Sequence, residues 1–271
     1  GNVALWAGLA VTAVTTYLLM ECSNRNALLR VRSRMISVTY LMLRMTCPFL
    51  HQWDWDMLPM FCWLASYAAF FKSYQNMRPE GCTFYGFLFV GLASMVWMPL
   101  LLAAPLFYAS LLLHMRSLTW KSLCSGILGL LLPYWFVTGY AVWTGSIQEV
   151  SAMWQAQFAF LPADYSQLTG QQVSAFVVLA VLGLPATIHY LRTAYNDKIR
   201  TRMFFYMIIM QELAMVLACA LQPQHAGVLL PLLIVNSAPL IAHHLSLSRG
   251  RWANTWFFFS LMLVVCLLVF N

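Results

Sequence analysis

Asp54 and Asp56 stand two residues apart in the segment His51-Gln52-Trp53-Asp54-Trp55-Asp56. Two carboxylates at this spacing in a loop can jointly bind a divalent cation or act as a base beside a polar substrate, with the tryptophan rings as walls. His225 follows Gln222-Pro223-Gln224 and can contact phosphate when protonated or exchange protons near neutral pH. Each segment also has a plain interpretation. Residues 51–56 can simply be an aromatic loop at the membrane surface, and His225 can simply be a solvated loop histidine. Their joint interest depends on whether they face one cleft.

A second group of polar residues interrupts long apolar stretches. Arg44 and Glu212 each lie nine residues from the start of a predicted helix, about 14 Å along its axis. Asn236 reaches a similar level from the opposite end, and Gln211 adjoins Glu212. A charge inside a bilayer costs about 2.5 to 3.5 kcal/mol, so such residues are candidate functional sites. An Arg44–Glu212 ion pair is expected if their helices touch, as a structural lock or as part of a substrate or proton pathway.

The composition identifies the solvent that must surround these residues. Hydrophobic residues make up 62% of the 271 residues and charged residues 8%, whereas a soluble domain carries about 25% charged residues. Lipid must therefore cover most of the surface. The net charge of +7 does not indicate nucleic acid, because the basic residues lie in short gaps between apolar runs. The seven cysteines are scattered singly without a zinc-ligand spacing, and neither a metal nor a cofactor is identified.

The apolar runs predict an all-α, polytopic transmembrane helix bundle that forms a single domain over residues 1–271. A spanning helix needs about 20 apolar residues, and about 17 suffice where flanking side chains adapt. About ten runs qualify, and they cover residues 3–20, 35–50, 57–71, 84–98, 99–115, 122–143, 173–191, 203–221, 227–243 and 253–270. The first residue is Gly1, so we expect the native start to be missing or processed.

The basic residues predict the orientation. With Pro99 dividing 84–115 into two spans, fourteen of the 15 Lys and Arg residues fall in loops on one side. The opposite loops, near 51–56, 144–172 and 222–226, contain none. This asymmetry predicts a bacterial inner-membrane protein with cytoplasmic basic loops and periplasmic opposite loops. One long kinked helix over 84–115 is the alternative, but it would split the charge between the two sides.

The connection 144–172 contains apolar residues at spacings of three and four between polar ones. This pattern predicts an amphipathic helix over 146–161 that lies flat at the external interface, with Trp154 at the level of the headgroups. A plain connector is the alternative.

Two resemblances follow from these residues. The stretch Asn26 to His51, NALLRVRSRMISVTYLMLRMTCPFLH, and the stretch Pro231 to Trp252, ending AHHLSLSRGRW, resemble an uncharacterised inner-membrane family of Bacteroidota. The external acidic pair, the interfacial helix and the late His225 followed by LLP are more remotely similar to the layout of GT-C glycosyltransferases. That second resemblance implies sugar transfer from a polyprenyl-phosphate lipid at the outer face.

Three functional classes remain open from the sequence. In an enzyme that handles a lipid-linked substrate, Asp54 or Asp56 would be the base or a metal ligand and His225 would contact phosphate. A transporter or flippase would use Arg44, Glu212, Gln211 and Asn236. A non-catalytic subunit would use its helices to bind the lipid bilayer and other membrane subunits.

Overall fold

The computed structural model describes residues 2–30, 33–51, 53–158, 163–166, 168–247 and 251–270. Within these ranges the chain is helical and forms no β-strand, which confirms the predicted all-α class. The eleven α-helices are α1 (Asn2–Asn26), α2 (Met35–Met45), α3 (Leu58–Lys72), α4 (Glu80–Val96), α5 (Ala103–Ser110), α6 (Trp120–Thr144), α7 (Ile147–Phe158), α8 (Gly170–Thr193), α9 (Ile199–Leu221), α10 (Ala226–Leu247) and α11 (Arg251–Phe270).

Among the described residues, six helical segments are long and apolar enough to cross a bilayer. They are Val3–Asn26, Met98–Met115, Trp120–Thr144, Gly170–Asn196, Ile199–Leu221 and Pro223–Leu247. Shorter apolar helices lie at Met35–Met45, Glu80–Val96 and Asn254–Leu267. The chain is therefore a multi-pass integral membrane protein.

One compact unit comprises Gly1–Met57 and Ala163–Asn271, and α10 is its central helix. This helix packs against α2, α8 and α9, and every residue from Val228 to His243 is buried. Its composition explains that position, because nearly all of these residues are apolar and no face is reserved for water. Charged or polar groups on the neighbouring helices therefore meet α10 inside the protein.

The second compact unit, Leu58–Pro162, is built on α4, which packs against α3 and α6. Gly129 allows close contact between α4 and α6, because an added Cβ would lie 2.3 Å from the backbone oxygen of Phe84. Buried aromatic rings, including Phe70, Phe87 and Phe107, fill the space between the helices of this unit.

Three boundaries refine the prediction. Helix α2 ends at Met45 instead of continuing to residue 50, because Pro48 cannot donate a backbone hydrogen bond and restricts Cys47. Residues 84–115 form two helical segments, which separate at the extended residue Trp97. The predicted interfacial helix corresponds to α7, which ends at Phe158, while residues 159–161 of that prediction lie outside the described chain.

Candidate functional site

Arg44 fixes the segment that carries the predicted acidic pair. It lies in the last turn of α2 and is 2% exposed. Its Nε donates to Thr12 Oγ1 at 2.8 Å, and its Nη2 donates to the carbonyl oxygen of Leu50 at 2.5 Å. The same Nη2 lies 3.6 Å from Met57 Sδ. Arg44 therefore joins α1 and α2 to both ends of the segment 50–57.

The predicted ion pair between Arg44 and Glu212 does not occur in the described part of the chain. Three salt bridges are present there, and neither residue belongs to any of them. The pair was expected only if the two helices touch, and among the described residues α2 packs against α1 and α10 and not closely against α9. The negative end of the α2 dipole and the bonded oxygens stabilise the guanidinium in place of a carboxylate.

Asp56 lies at the start of α10. The turn Trp55–Met57 packs against this helix, and Asp56 Oδ2 lies 2.9 Å from where a Cβ of Gly227 would stand. The N-terminus of a helix favours a negative charge, so this position suits a carboxylate. Burial, followed by the charge of Asp54, raises the pKa of Asp56, and the nearby His225 partly offsets this increase. The structure thus brings Asp56 and His225 near each other.

Asp54 has a more local role. It is exposed, and its Oδ1 accepts a hydrogen bond from the backbone N–H of Trp55 at 2.7 Å. The preceding Trp53 is attached to α1 through a backbone hydrogen bond to Ala4 of 3.0 Å. Asp54 therefore shapes the loop and adds negative charge beside Asp56, which is the better placed of the two to contact a ligand.

An apolar cleft of about 340 Å³ opens beside the turn Pro223–His225, which connects α9 to α10. Its walls come from α8, the end of α9 and the start of α10, and they include Phe176, Pro223, Ala226 and Leu230. On another side, Tyr165 donates a hydrogen bond from its hydroxyl to the carbonyl oxygen of Ala220 at 2.7 Å. Ligand pockets of this size are typically apolar with a few polar groups nearby. Residues 223–227 thus carry a cleft wall, His225 and the contact with Asp56.

Glu212 and Asn236, which were expected at a similar depth, are in contact. Asn236 Nδ2 donates to Glu212 Oε2 at 2.8 Å and to the carbonyl oxygen of Ile208 at 3.0 Å. Ser237 Oγ lies 2.6 Å from Glu212 Oε1, a contact the sequence analysis did not anticipate. Gln211 is fully buried, and no described group lies within hydrogen-bond distance of its side-chain oxygen or nitrogen.

A cluster of Arg30 and His243 around the buried carboxylate of Asp197 was not predicted from the sequence. This carboxylate, whose side chain is 1% exposed, accepts from Arg30 Nε at 2.5 Å and lies 2.9 Å from His243 Nε2. Asp197 follows the last turn of α8 and precedes α9, so by position it resembled a solvated loop residue. Its isolation among the basic residues of 192–202 was the available signal, since one carboxylate among arginines is a natural ion-pair partner.

The described residues contain no group of three or more His, Cys, Asp or Glu side chains arranged to hold a metal ion. Comparisons with protein-family models, curated proteins and solved structures gave no match to this chain. The site must therefore be interpreted from its own geometry.

Proposed function

We propose that this membrane protein binds a lipid-linked molecule at the end of the bundle where α9 meets α10. The apolar chain of the ligand occupies the cleft between α8, α9 and α10, and Asp56 and His225 contact its polar head. The observation that carries the proposal is the turn 223–227, which supplies a wall of the cleft and also adjoins Asp56.

The chemistry we propose is group transfer from a polyprenyl-phosphate donor, in the manner of the GT-C glycosyltransferases that the sequence resembles. Asp56 serves as the base for an acceptor hydroxyl, which requires that its carboxylate lie within about 3 Å of that hydroxyl. His225 contacts the phosphate. Asp54 contributes negative charge and holds the loop, and α7 lies at the interface and guides the lipid toward the protein.

The orientation belongs to the same proposal. We propose about ten crossings of a bacterial inner membrane. In addition to the six long segments, α3, α4 and α11 cross, and α2 crosses together with the turn Pro48–Leu50 that follows it. The basic loops are then cytoplasmic, and the turn at residues 222–226 is periplasmic. Single-cysteine labelling at positions 200 and 225, in a chain whose native cysteines have been replaced, tests this. Labelling of both from one compartment would refute the orientation.

Lipid binding is tested by filling the cleft. Ala220→Trp places a large ring at a lining position, whereas Leu217→Trp adds a ring to an exposed position of α9 that does not line the cleft. Crosslinking of a photoreactive polyprenyl-phosphate should fall at least about tenfold in Ala220→Trp and stay unchanged in Leu217→Trp. A tenfold loss corresponds to about 1.4 kcal/mol of binding free energy. Equal crosslinking in both variants would exclude the cleft as the lipid site.

Catalysis is tested separately by sugar transfer from polyprenyl-phosphate donors in vitro. Asp56→Asn should abolish transfer without loss of lipid crosslinking, and Asp54→Asn should reduce it less. Unchanged transfer in both variants would remove these carboxylates from the mechanism.

A further inference from the structure

Glu212 is a carboxyl group enclosed at the junction of three helices. It is 1% exposed, and its neighbours are Asn236 and Ser237 on α10 and Gly183 on α8. An added Cβ on Gly183 would lie 3.1 Å from Glu212 Oε1, so the glycine allows α8 to approach the carboxyl closely. A residue of this kind inside a membrane is a functional candidate by default.

No positive charge compensates this carboxyl in the described part of the chain. None of the ion pairs found there includes Glu212, and Arg44 is bonded to oxygens elsewhere. The thiol of Cys219, which is the titratable group near Glu212 on its own helix, supplies no positive charge. Burial of an ionised carboxylate without a cation costs several kcal/mol even after relaxation. The two hydrogen-bond donors from α10 offset only part of that cost.

We propose that Glu212 is a proton-binding site inside the helix bundle. The carboxyl group keeps its proton at neutral pH and shares it with Ser237 Oγ in a hydrogen bond that the carboxyl donates. The distance of 2.6 Å between Glu212 Oε1 and Ser237 Oγ suits an O–H···O hydrogen bond in either direction. With the carboxyl proton on Oε1, the other oxygen, Oε2, still accepts from Asn236. Both oxygens are then satisfied without a counter-ion. This inference does not depend on the proposed lipid site.

The ligand of this site is a proton and not a metal cation. Hard cations such as Ca²⁺ or Mg²⁺ require about six or more oxygen ligands. At Glu212 one oxygen faces an amide N–H donor at 2.8 Å, and the other faces one hydroxyl. Loss of the proton would leave a carboxylate without a counter-charge between α8, α9 and α10, so proton binding is linked to the packing of these helices.

Infrared spectroscopy of the purified full-length protein in lipid nanodiscs at pH 7 tests the proposal. A protonated carboxyl has a C=O stretching band that a carboxylate lacks. The wild-type protein should show this band, and Glu212→Gln should lose it. Asp56→Asn should keep it, which excludes the half-buried carboxyl of Asp56 as the source of the band. A wild-type spectrum without the band would overturn the proposal, as would a band that Asp56→Asn removes and Glu212→Gln retains.

Ser237→Ala keeps the test decisive if Glu212→Gln does not fold. Removal of the hydroxyl leaves Glu212 without its acceptor, so the carboxyl band should shift to higher frequency while its intensity is retained. A band that does not move in Ser237→Ala would show that it arises from another group and would refute the assignment. Asp197→Asn serves as the matched control, since that carboxylate is buried but paired with a cation, and its replacement should leave the band unchanged.

Discussion

Replacement of Asp197 by asparagine should destabilise the folded protein by about 2 kcal/mol at neutral pH. The carboxylate serves two partners, Arg30 and His243, and its side chain is 1% exposed. Asparagine has nearly the same shape but no negative charge, so both contacts become weaker neutral ones even if its oxygen still accepts from Arg30 and its amide donates to Nε2 of a neutral His243. A hydrogen bond to a charged group contributes about 1.5 to 3 kcal/mol. We take the lower part of that range, because the Arg30 side chain is 41% exposed and can turn to water.

The effect should depend on pH in a defined direction. Burial favours a higher pKa for Asp197, but the hydrogen bonds and charges of His243 and Arg30 outweigh it, so the pKa is lowered from its usual value. A carboxylate whose folded-state pKa is lowered stabilises the protein above its unfolded-state pKa, about 3.9. That contribution is lost as the pH falls through the folded-state pKa. The difference between wild type and Asp197→Asn should therefore be constant from pH 7 to about 5 and shrink below about pH 4.

The measurement is unfolding in mixed micelles of increasing SDS fraction, followed by tryptophan fluorescence at several pH values. Glu21→Gln is the control, because the Glu21–Arg25 pair is exposed at both ends and should contribute at most about 1 kcal/mol. Equal, small losses in the two variants at pH 7 would refute the conclusion that burial makes the Asp197 contacts strong. A difference that grows as the pH falls would refute the assigned direction of the pKa.

Three further substitutions test other contacts, by the same unfolding assay together with a second measurement where one is named. Gly129→Ala should lower the free energy of unfolding by about 1 to 3 kcal/mol, because its Cβ would meet a backbone oxygen of α4. The control Gly139→Ala has open space around the added Cβ and should be neutral or slightly stabilising. Equal effects of the two substitutions would refute the close approach of α4 and α6. Arg44→Met should lower the free energy of unfolding by about 1 to 3 kcal/mol, because it leaves the buried carbonyl oxygen of Leu50 unpaired. Limited proteolysis tests its anchoring role, and unchanged cleavage within residues 46–57 would contradict that role. Gly227→Ala should displace Asp56 and reduce sugar transfer, whereas retained transfer and stability would show that the carboxylate adapts.

The positions of most helices could be predicted from the sequence because long apolar runs leave few other structures possible in lipid. The sequence predicted a similar depth for Asn236 and Glu212, and it placed Asp56 and His225 in loops expected on one side. The contact within each pair is what the structure adds. These predictions needed only the period and rise of a helix, together with the positions where apolar runs end.

The partners of the charged residues could not be predicted in the same way. Arg30 and Asp197 are 167 residues apart, and their contact depends on how α1 and α9 pack, which no local pattern records. The partner expected for Arg44 was wrong because α2 packs against α1 and α10, so that Thr12 and Leu50 bind the guanidinium instead of Glu212. The packing of the helices therefore decides which charged side chains can contact each other.

Arg44 and Glu212 show how the chemistry of each side chain determines what must surround it. A guanidinium cannot lose its proton in a protein, so a buried arginine without a carboxylate needs fixed oxygens, here from Thr12 and Leu50. A carboxyl group can instead become neutral by keeping a proton, and then requires only hydrogen-bonding partners such as Ser237 and Asn236. The environment of Arg44 is therefore suited to a permanent charge, whereas that of Glu212 is suited to a group whose charge can change. For this reason a reversible proton site is expected at Glu212, and a fixed structural anchor at Arg44.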